Sequence, residues 1–418
     1  MPKGQGGVVA GWTLLRSNPV FRGLWLASIG SQLGAWLNQV GLAVITLQTT
    51  HSAEAMGLVL LARGVPAVAL RSLVGPLVDR MRKRPVMITT ELIRSVLAFS
   101  FSLALWWHAT WILYIDSFLF GLSGIFFGPA RHATMPDIVK ASDLLSANAL
   151  SSQSQGAVQI VGAALGGWIA QVSPVLCFSI NAATYLWSAW HIARVHWTET
   201  SGKTPSPPYF GALKEGLGEI RHNRIVRSII LIGISWGLAG GGYYILVPVL
   251  GQQAYHMGAS GIGVLYAVDG LGVMLGGYGV DRWIGLDTYR TYLAYGMAYL
   301  TQAIFLGFLA QSTGWIEGVI FLFGMRISSG IIIPLDNSLL QTHVDTHRQG
   351  RVFSLHQSTY GGVMQLSYAV DGWAFQQFGY HVVGLVIGIV SMLCGIFWLL
   401  QRRHWSKDEP SRHLSMPD

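Results

Sequence analysis

From Leu144 to Ala193 the chain runs fifty residues without an Asp, Glu, Lys or Arg, broken only by Val172-Ser173-Pro174. A helix needs about 20 apolar residues to cross a hydrocarbon core of ~30 Å, so this run holds two crossings. Uncharged lengths recur at 23–50, 228–268, 291–316, 352–370 and 372–401. Only 11% of the residues are charged, 27 Lys and Arg against 19 Asp and Glu, where soluble domains carry about 25%. Too few charges remain to cover a soluble surface. Disorder is excluded as well, since 11% aromatic residues is the opposite of a disordered composition. The class left is an all-α, polytopic membrane protein.

Runs interrupted by single charges complete a set of twelve expected spans. They cover roughly 23–47, 55–78, 86–108, 111–133, 144–170, 173–195, 226–249, 258–280, 289–310, 315–335, 350–376 and 379–401. The connecting loops alternate sharply in charge. Of the 27 cations, 23 fall on one side, including Arg80, Arg82, Lys83 and Arg84. Four (Arg63, Arg71, Arg94, Arg326) lie in spans, and the opposite loops have none. By the positive-inside rule both termini are expected in the cytoplasm of a cell whose inner membrane holds the protein. The net charge of +8 then faces anionic headgroups; no basic soluble module exists to bind nucleic acid. No cleavable signal peptide is expected, because the first apolar run is too long. Cys177 and Cys394 fall within spans, so no disulfide framework is indicated. Trp106, Trp107, Trp111 and Trp315 at one set of span ends, and Trp190, Trp197 and Trp405 at the other, read as an aromatic belt.

The sequence also repeats. Gly75-Pro-Leu-Val-Asp79-Arg80 is answered by Gly277-Tyr-Gly-Val-Asp281-Arg282 at an offset of 202, while Gly167-Trp168 and Gly372-Trp373, like Pro129 and Pro334, are 205 apart. These landmarks imply two six-helix halves, 1–195 and 226–418, joined by a linker at 196–225. Within the linker Phe210, Leu213, Leu217 and Ile220 recur at helical spacing opposite Lys214, Glu215, Glu219 and Arg221, as in an amphipathic helix lying on the membrane surface.

Two six-span halves with a cytoplasmic linker resemble the major facilitator superfamily. The stretch GPLVDRMRKRP (75–85) is similar to that family's loop 2–3 signature, with Arg82 where a Gly is common. Further similarity, to the branch of macrolide-efflux and enterobactin-export permeases, lies in GAWLNQVGLAV (34–44), LLARGVPAV (60–68), ELIR (91–94), GPARHATMPDIV (128–139), LLSANAL (144–150), ALKEGLGEIRHNRIVRS (212–228) and RQGRVFSL (348–355). The Gly162–Gly167 run lacks the Pro that many exporters carry there. The resemblance implies alternating access by rocking of the halves, with Gly75, Asp79, Arg80, Lys83 and Arg84 as a conformational latch on the inner face, joined by Glu91 and Arg94.

Ionisable groups inside spans cost about 2.5–3.5 kcal/mol each on insertion scales unless paired or hydrated, so they mark candidate chemistry. Arg63 lies about 12 Å below the outer face at 1.5 Å per residue, and Asp269 and Asp371 are similarly deep. Arg63 and Asp371 are candidates for an outer-gate ion pair; local packing of Arg63, with Asp116, is the alternative. Asp269, then Asp116 and Asp371, are candidates for proton coupling, against a role as hydrated cavity acids. Glu91 and Arg94, three apart, share a helix face and are placed to pair. Asn38, Gln39, Arg326, Tyr243 and Tyr244 are candidates for the cavity wall. The Gly240-Gly241-Gly242 run followed by Pro248 suggests a broken helix, with close helix packing as the alternative. His343, Asp345 and His347 read as an ordinary hydrated loop rather than a metal site. No nucleotide loop or catalytic motif is present, and neither enzyme activity, cofactor nor metal is expected.

The combined expectation is a secondary transporter, proton-coupled and exporting an amphipathic small molecule such as a drug or siderophore. Importer, lipid-translocating carrier and non-transporting receptor or scaffold are the alternatives. A monomer is expected, with the small molecule, protons and lipid bilayer as partners.

Overall fold

A computed structural model describes residues 6–107, 109–199, 218, 221, 223–284, 288–344 and 346–408. Every regular element among the described residues is helical. The α-helices are α1 (Gly6–Ser17), α2 (Pro19–Thr50), α3 (Ala53–Arg80), α4 (Lys83–Ser100), α5 (Leu103–Trp106), α6 (Trp111–Ile138), α7 (Leu144–Val172), α8 (Pro174–Arg194), α9 (Arg224–Val249), α10 (Gly258–Gly279), α11 (Thr288–Gln311), α12 (Trp315–His343) and α13 (Thr346–Asp408). Among the described residues, eight segments are long and apolar enough to cross a membrane, the last of them 54 residues long. That segment is more than a single ~30 Å crossing can use, and α13 leaves helical geometry at Gly379 (φ 75°, ψ 167°). Large apolar side chains stand exposed around the helices, among them Val96, Leu145, Trp107 and Ile316. An apolar surface of that extent suits lipid, not water. The chain is a multi-pass membrane protein.

Helix boundaries follow from local chemistry. Asn18 caps α2, its Oδ1 accepting from Phe21 N at 2.9 Å, with Pro19 in the first turn where its missing N–H costs nothing. His51, in the left-handed region at φ 52°, ends α2, and Ser52 caps α3 by accepting from Ala55 N. Pro174 opens α8 in the same way as Pro19 opens α2.

Contacts divide the chain into two compact units. One comprises 1–207 with 244–270 and 368–377; the other comprises 208–243, 271–367 and 378–418. The first unit has an aromatic core of Phe101, Phe120, Phe178 and Tyr185. The second is built on Tyr292, Tyr295, Tyr299 and Trp398. A hydrogen bond carries the repeat into three dimensions. Asn18 Nδ2 donates to Ile138 O at 2.7 Å in the first unit, and Asn223 Nδ2 donates to His343 O at 2.7 Å in the second. Both partners are displaced by 205, the offset of the proline pair. Asn223 also accepts from Val226 N, as Asn18 does from Phe21 N.

Two expectations change. The glycines 240–242 do not break the helix: α9 is continuous through them, and the irregularity is a π-helical turn at Leu250–Ala254, just after Pro248. The irregular turn begins two residues after Pro248, which supplies no backbone N–H, and lies away from the glycines. His343 is the last residue of α12, not part of a hydrated loop, and its Nε2 is 2.6 Å from the Tyr292 hydroxyl. Asp345 and most of the expected linker helix lie outside the described residues.

Candidate functional site

Interior charge in the first unit gathers around one ring. Arg63 of α3 donates through Nη1 to Gln39 Oε1 at 3.0 Å, and its guanidinium carbon lies 4.8 Å from the Phe120 centroid. From the other side Arg94 of α4 lies 5.8 Å from the same centroid and 4.9 Å from that of Phe127. Its Nε donates to Ser123 Oγ at 3.0 Å. Glycines on α6 make this possible. A Cβ on Gly121 would collide with the Arg63 carbonyl, and one on Gly124 would stand 3.2 Å from Arg94 Nη2. Cation–π attraction is worth roughly 2 kcal/mol when desolvated, which offsets part of the cost of two like charges near one ring.

The carboxylates are distributed separately. Glu91 is fully buried and accepts from Ser188 Oγ of α8 at 2.7 Å, while Arg94 turns to α6. The two hydrogen-bond to different helices, while Arg94 still acts electrostatically on Glu91. Asp116 accepts from Ser100 Oγ at 2.8 Å, not from Arg63. Asp269, 3% exposed in α10, has Oδ2 3.4 Å from Gln159 Nε2 of α7. One turn earlier, the Tyr266 ring packs at 5.9 Å from Trp36 and interacts electrostatically with Arg63, Asp269 and Tyr244. Tyr244 is edge-on to Tyr368 at 6.4 Å. Asn38 is fully buried in α2.

Where Arg63 and Asp371 were expected to meet, glycines do so instead. Gly57 of α3 approaches Tyr368 O and Gly372 of α13, and Ala53 N donates to Gln376 Oε1 at 3.2 Å. In this conformation Arg63 bonds to Gln39, not to Asp371. A second contact of the same kind joins Gly167 of α7 to Gly263 of α10.

At the end carrying the basic loops, the motif residues bind within their own unit. Lys83 Nζ pairs with Asp137 Oδ2 at 2.7 Å and donates to Ala133 O. Arg84 donates to the Ile192 and Ala193 carbonyls at the end of α8. Glu199 accepts from the backbone N–H groups of Lys83 (2.9 Å) and Arg84 (3.0 Å), neutralising the start of α4. Arg80 is exposed in the last turn of α3. Gly75 and Asp79 are helical in α3, but their side-chain surroundings lie outside the described residues.

In the second unit a polar chain runs through apolar helices. Arg326 of α12 lies 4.9 Å from the Tyr243 centroid and donates to Ser329 Oγ. Ser329 donates to Gln302 Oε1, and Gln302 Nε2 to Ser391 Oγ. His356 Nε2 and Asp336 Oδ2, whose pairing no local sequence pattern indicates, lie 2.9 Å apart between α13 and α12. Asp336 falls one residue beyond the span expected at 315–335, and no local spacing places His356 beside it. Among the described residues no cluster of His, Cys, Asp and Glu is arranged to hold a metal.

Apolar helices that enclose a sparse set of charges and hydrogen-bonding side chains define a membrane carrier. The sequence matches the family model described as Major Facilitator Superfamily over residues 24–367, and the chain belongs to that family. It is 28% identical over 346 residues to BacE of Bacillus subtilis (strain 168), a candidate bacilysin exporter, covering 81% of this chain and 83% of that one. It is 26% identical to the multidrug resistance protein MdtH of Klebsiella pneumoniae (strain 342), covering 79% and 82%. Among solved structures, the nucleoside transporter NupG superposes with a TM-score of 0.71 at 12% identity, over 92% of this chain and 99% of that one. That likeness establishes a shared fold.

Proposed function

We propose that the chain is a proton-coupled exporter of an amphipathic small molecule, working by alternating access with twelve crossings. It acts as a monomer in the plasma membrane with both termini in the cytoplasm. The observation that carries the reading is Asp269, a carboxylate buried in an apolar helix beside Gln159 and Tyr266. A carboxylate at such a position is expensive in lipid and marks an ion or substrate path. The relatives BacE, described as a candidate bacilysin exporter, and MdtH, described as a multidrug resistance protein, support the outward direction. Asp116, hydrogen-bonded to Ser100, and Asp371, beside the Gly57–Gly372 contact, stand next as coupling acids. Arg63 and Asp371 form the outer-gate pair in another conformation of the cycle. Gln39, Tyr244, Trp36 and Tyr266 supply the mixed aromatic and amide wall that an amphipathic solute needs.

The experiment is a screen of dyes and antibiotics in inverted vesicles, with and without collapse of the proton gradient. Gradient-dependent accumulation that Asp269→Asn removes is the expected result. Accumulation with unaltered pH dependence in Asp269→Asn would take this acid out of the mechanism, and accumulation indifferent to the gradient would refute proton coupling.

A further inference from the structure

Away from Asp269, a carboxylate and an imidazole meet inside the second unit. His356 on α13 is 4% exposed, and its Nε2 lies 2.9 Å from Asp336 Oδ2 on α12. The other carboxylate oxygen, Oδ1, accepts from the Tyr295 hydroxyl of α11 at 2.7 Å. Both oxygens of Asp336 are thus engaged, and the carboxylate is held in one orientation. An acceptor at Nε2 fixes the tautomer: the neutral ring carries its hydrogen on Nε2, toward Asp336, and leaves the Nδ1 lone pair open. Nδ1 is buried and has no hydrogen-bond partner among the described residues. The backbone of α9 comes close to that edge of the ring. A Cβ on Gly233 would stand 2.7 Å from Cε1 and 3.2 Å from Nδ1 of His356, so the absence of a side chain there makes room for the imidazole.

We propose that His356 and Asp336 form a proton-binding site of the carrier, with Nδ1 of His356 as the atom where the proton arrives and leaves. A proton from water adds to the Nδ1 lone pair while the Nε2 hydrogen stays directed at Asp336. No bond within the protein is broken, and the cluster passes from one net negative charge to a neutral imidazolium–carboxylate pair. Such a pair is easier to hold among apolar helices than a lone anion. The ionisable groups around it are Tyr295 and Tyr299 from α11, Asp336 from α12, and Tyr360 and Cys394 from α13; Tyr299 interacts electrostatically with Asp336, Tyr360 and Cys394. α9 brings Gly233 to the contact with the ring. The use of the bound proton to drive export rests on the proton-coupled reading above, but its binding does not.

The test is direct titration of the full-length protein in nanodiscs, labelled with 13C,15N-histidine and followed by NMR from pH 5 to 9. The signal lost in His356→Gln, or in His356→Asn should the first variant fail to fold, assigns the ring. A one-proton titration is expected, and Asp336→Asn should alter its midpoint, because the Asp336 carboxylate faces Nε2. A His356 signal that keeps one protonation state throughout overturns the proposal. So does a midpoint that Asp336→Asn leaves in place. No transported compound enters the measurement, so these failures are distinct from failure of the export reading, which the vesicle screen tests.

Discussion

Gly167 and Gly263 touch backbone to backbone: a Cβ on Gly263 would lie 2.5 Å from the Gly167 Cα, and one on Gly167 would lie 2.7 Å from the Gly263 Cα. Neither neighbour is a side chain that can swing aside. Gly263→Ala is therefore expected to push α7 and α10 apart, at the ~1–3 kcal/mol typical of overpacking. Cysteine probes placed at Gln171 and Ser260, whose side-chain and backbone groups meet across this contact, should become more accessible to a thiol reagent in the variant. Unchanged labelling would mean that the two helices part elsewhere.

The guanidinium groups of Arg63 and Arg94 share Phe120. Replacing the ring by Leu keeps apolar volume but removes the π face, so Phe120→Leu should lower stability by about 1–2 kcal/mol. Thermal unfolding in detergent measures it. Asp116→Asn, by contrast, should change stability little, because an amide still accepts from Ser100.

Glu199 caps the start of α4 with both carboxylate oxygens. Glu199→Ala frees two backbone donors and should cost about 1–2 kcal/mol. Lys83→Met removes the 2.7 Å ion pair with Asp137 and should lower stability by more than loss of the cap does. Recovery of the melting temperature in the double change Lys83→Met with Asp137→Leu would show that the loss comes from breaking this pair.

Exchange of the two charges at Arg63 and Asp371 tests the outer gate. If the pair forms in one state of the cycle, Asp371→Asn should raise accessibility from the outer side and Arg63→Asp with Asp371→Arg should restore closure. Identical labelling of an outer-cavity cysteine in all three proteins would remove the pair from the mechanism.

The helical class was legible because uncharged runs are a property of the chain itself, and the 205-residue offset recurs in the hydrogen bonds of Asn18 and Asn223. Pairings inside the helices were less so. Glu91 and Arg94 have the spacing of an ion pair and interact electrostatically, but their hydrogen bonds go to Ser188 and Ser123 on different helices; no local rule contains those partners. The glycines at 240–242 suggested a break, but Gly241 remains helical and its N–H donates to Ser367 Oγ at 3.1 Å. Asp336 lies one residue past the expected end of its span, and its partner His356 is twenty residues away in sequence, beyond the reach of any local pattern.

The clasp between Asn18 and Ile138 spans 120 residues, and that between Asn223 and His343 spans the same distance. A chain emerging from the ribosome cannot close the first until α6 has been synthesised, yet it can close it before any of the second repeat exists. Each repeat thus carries its own fastening between its first and fourth long helices. The earlier clasp can close while the residues of the later one are still being translated.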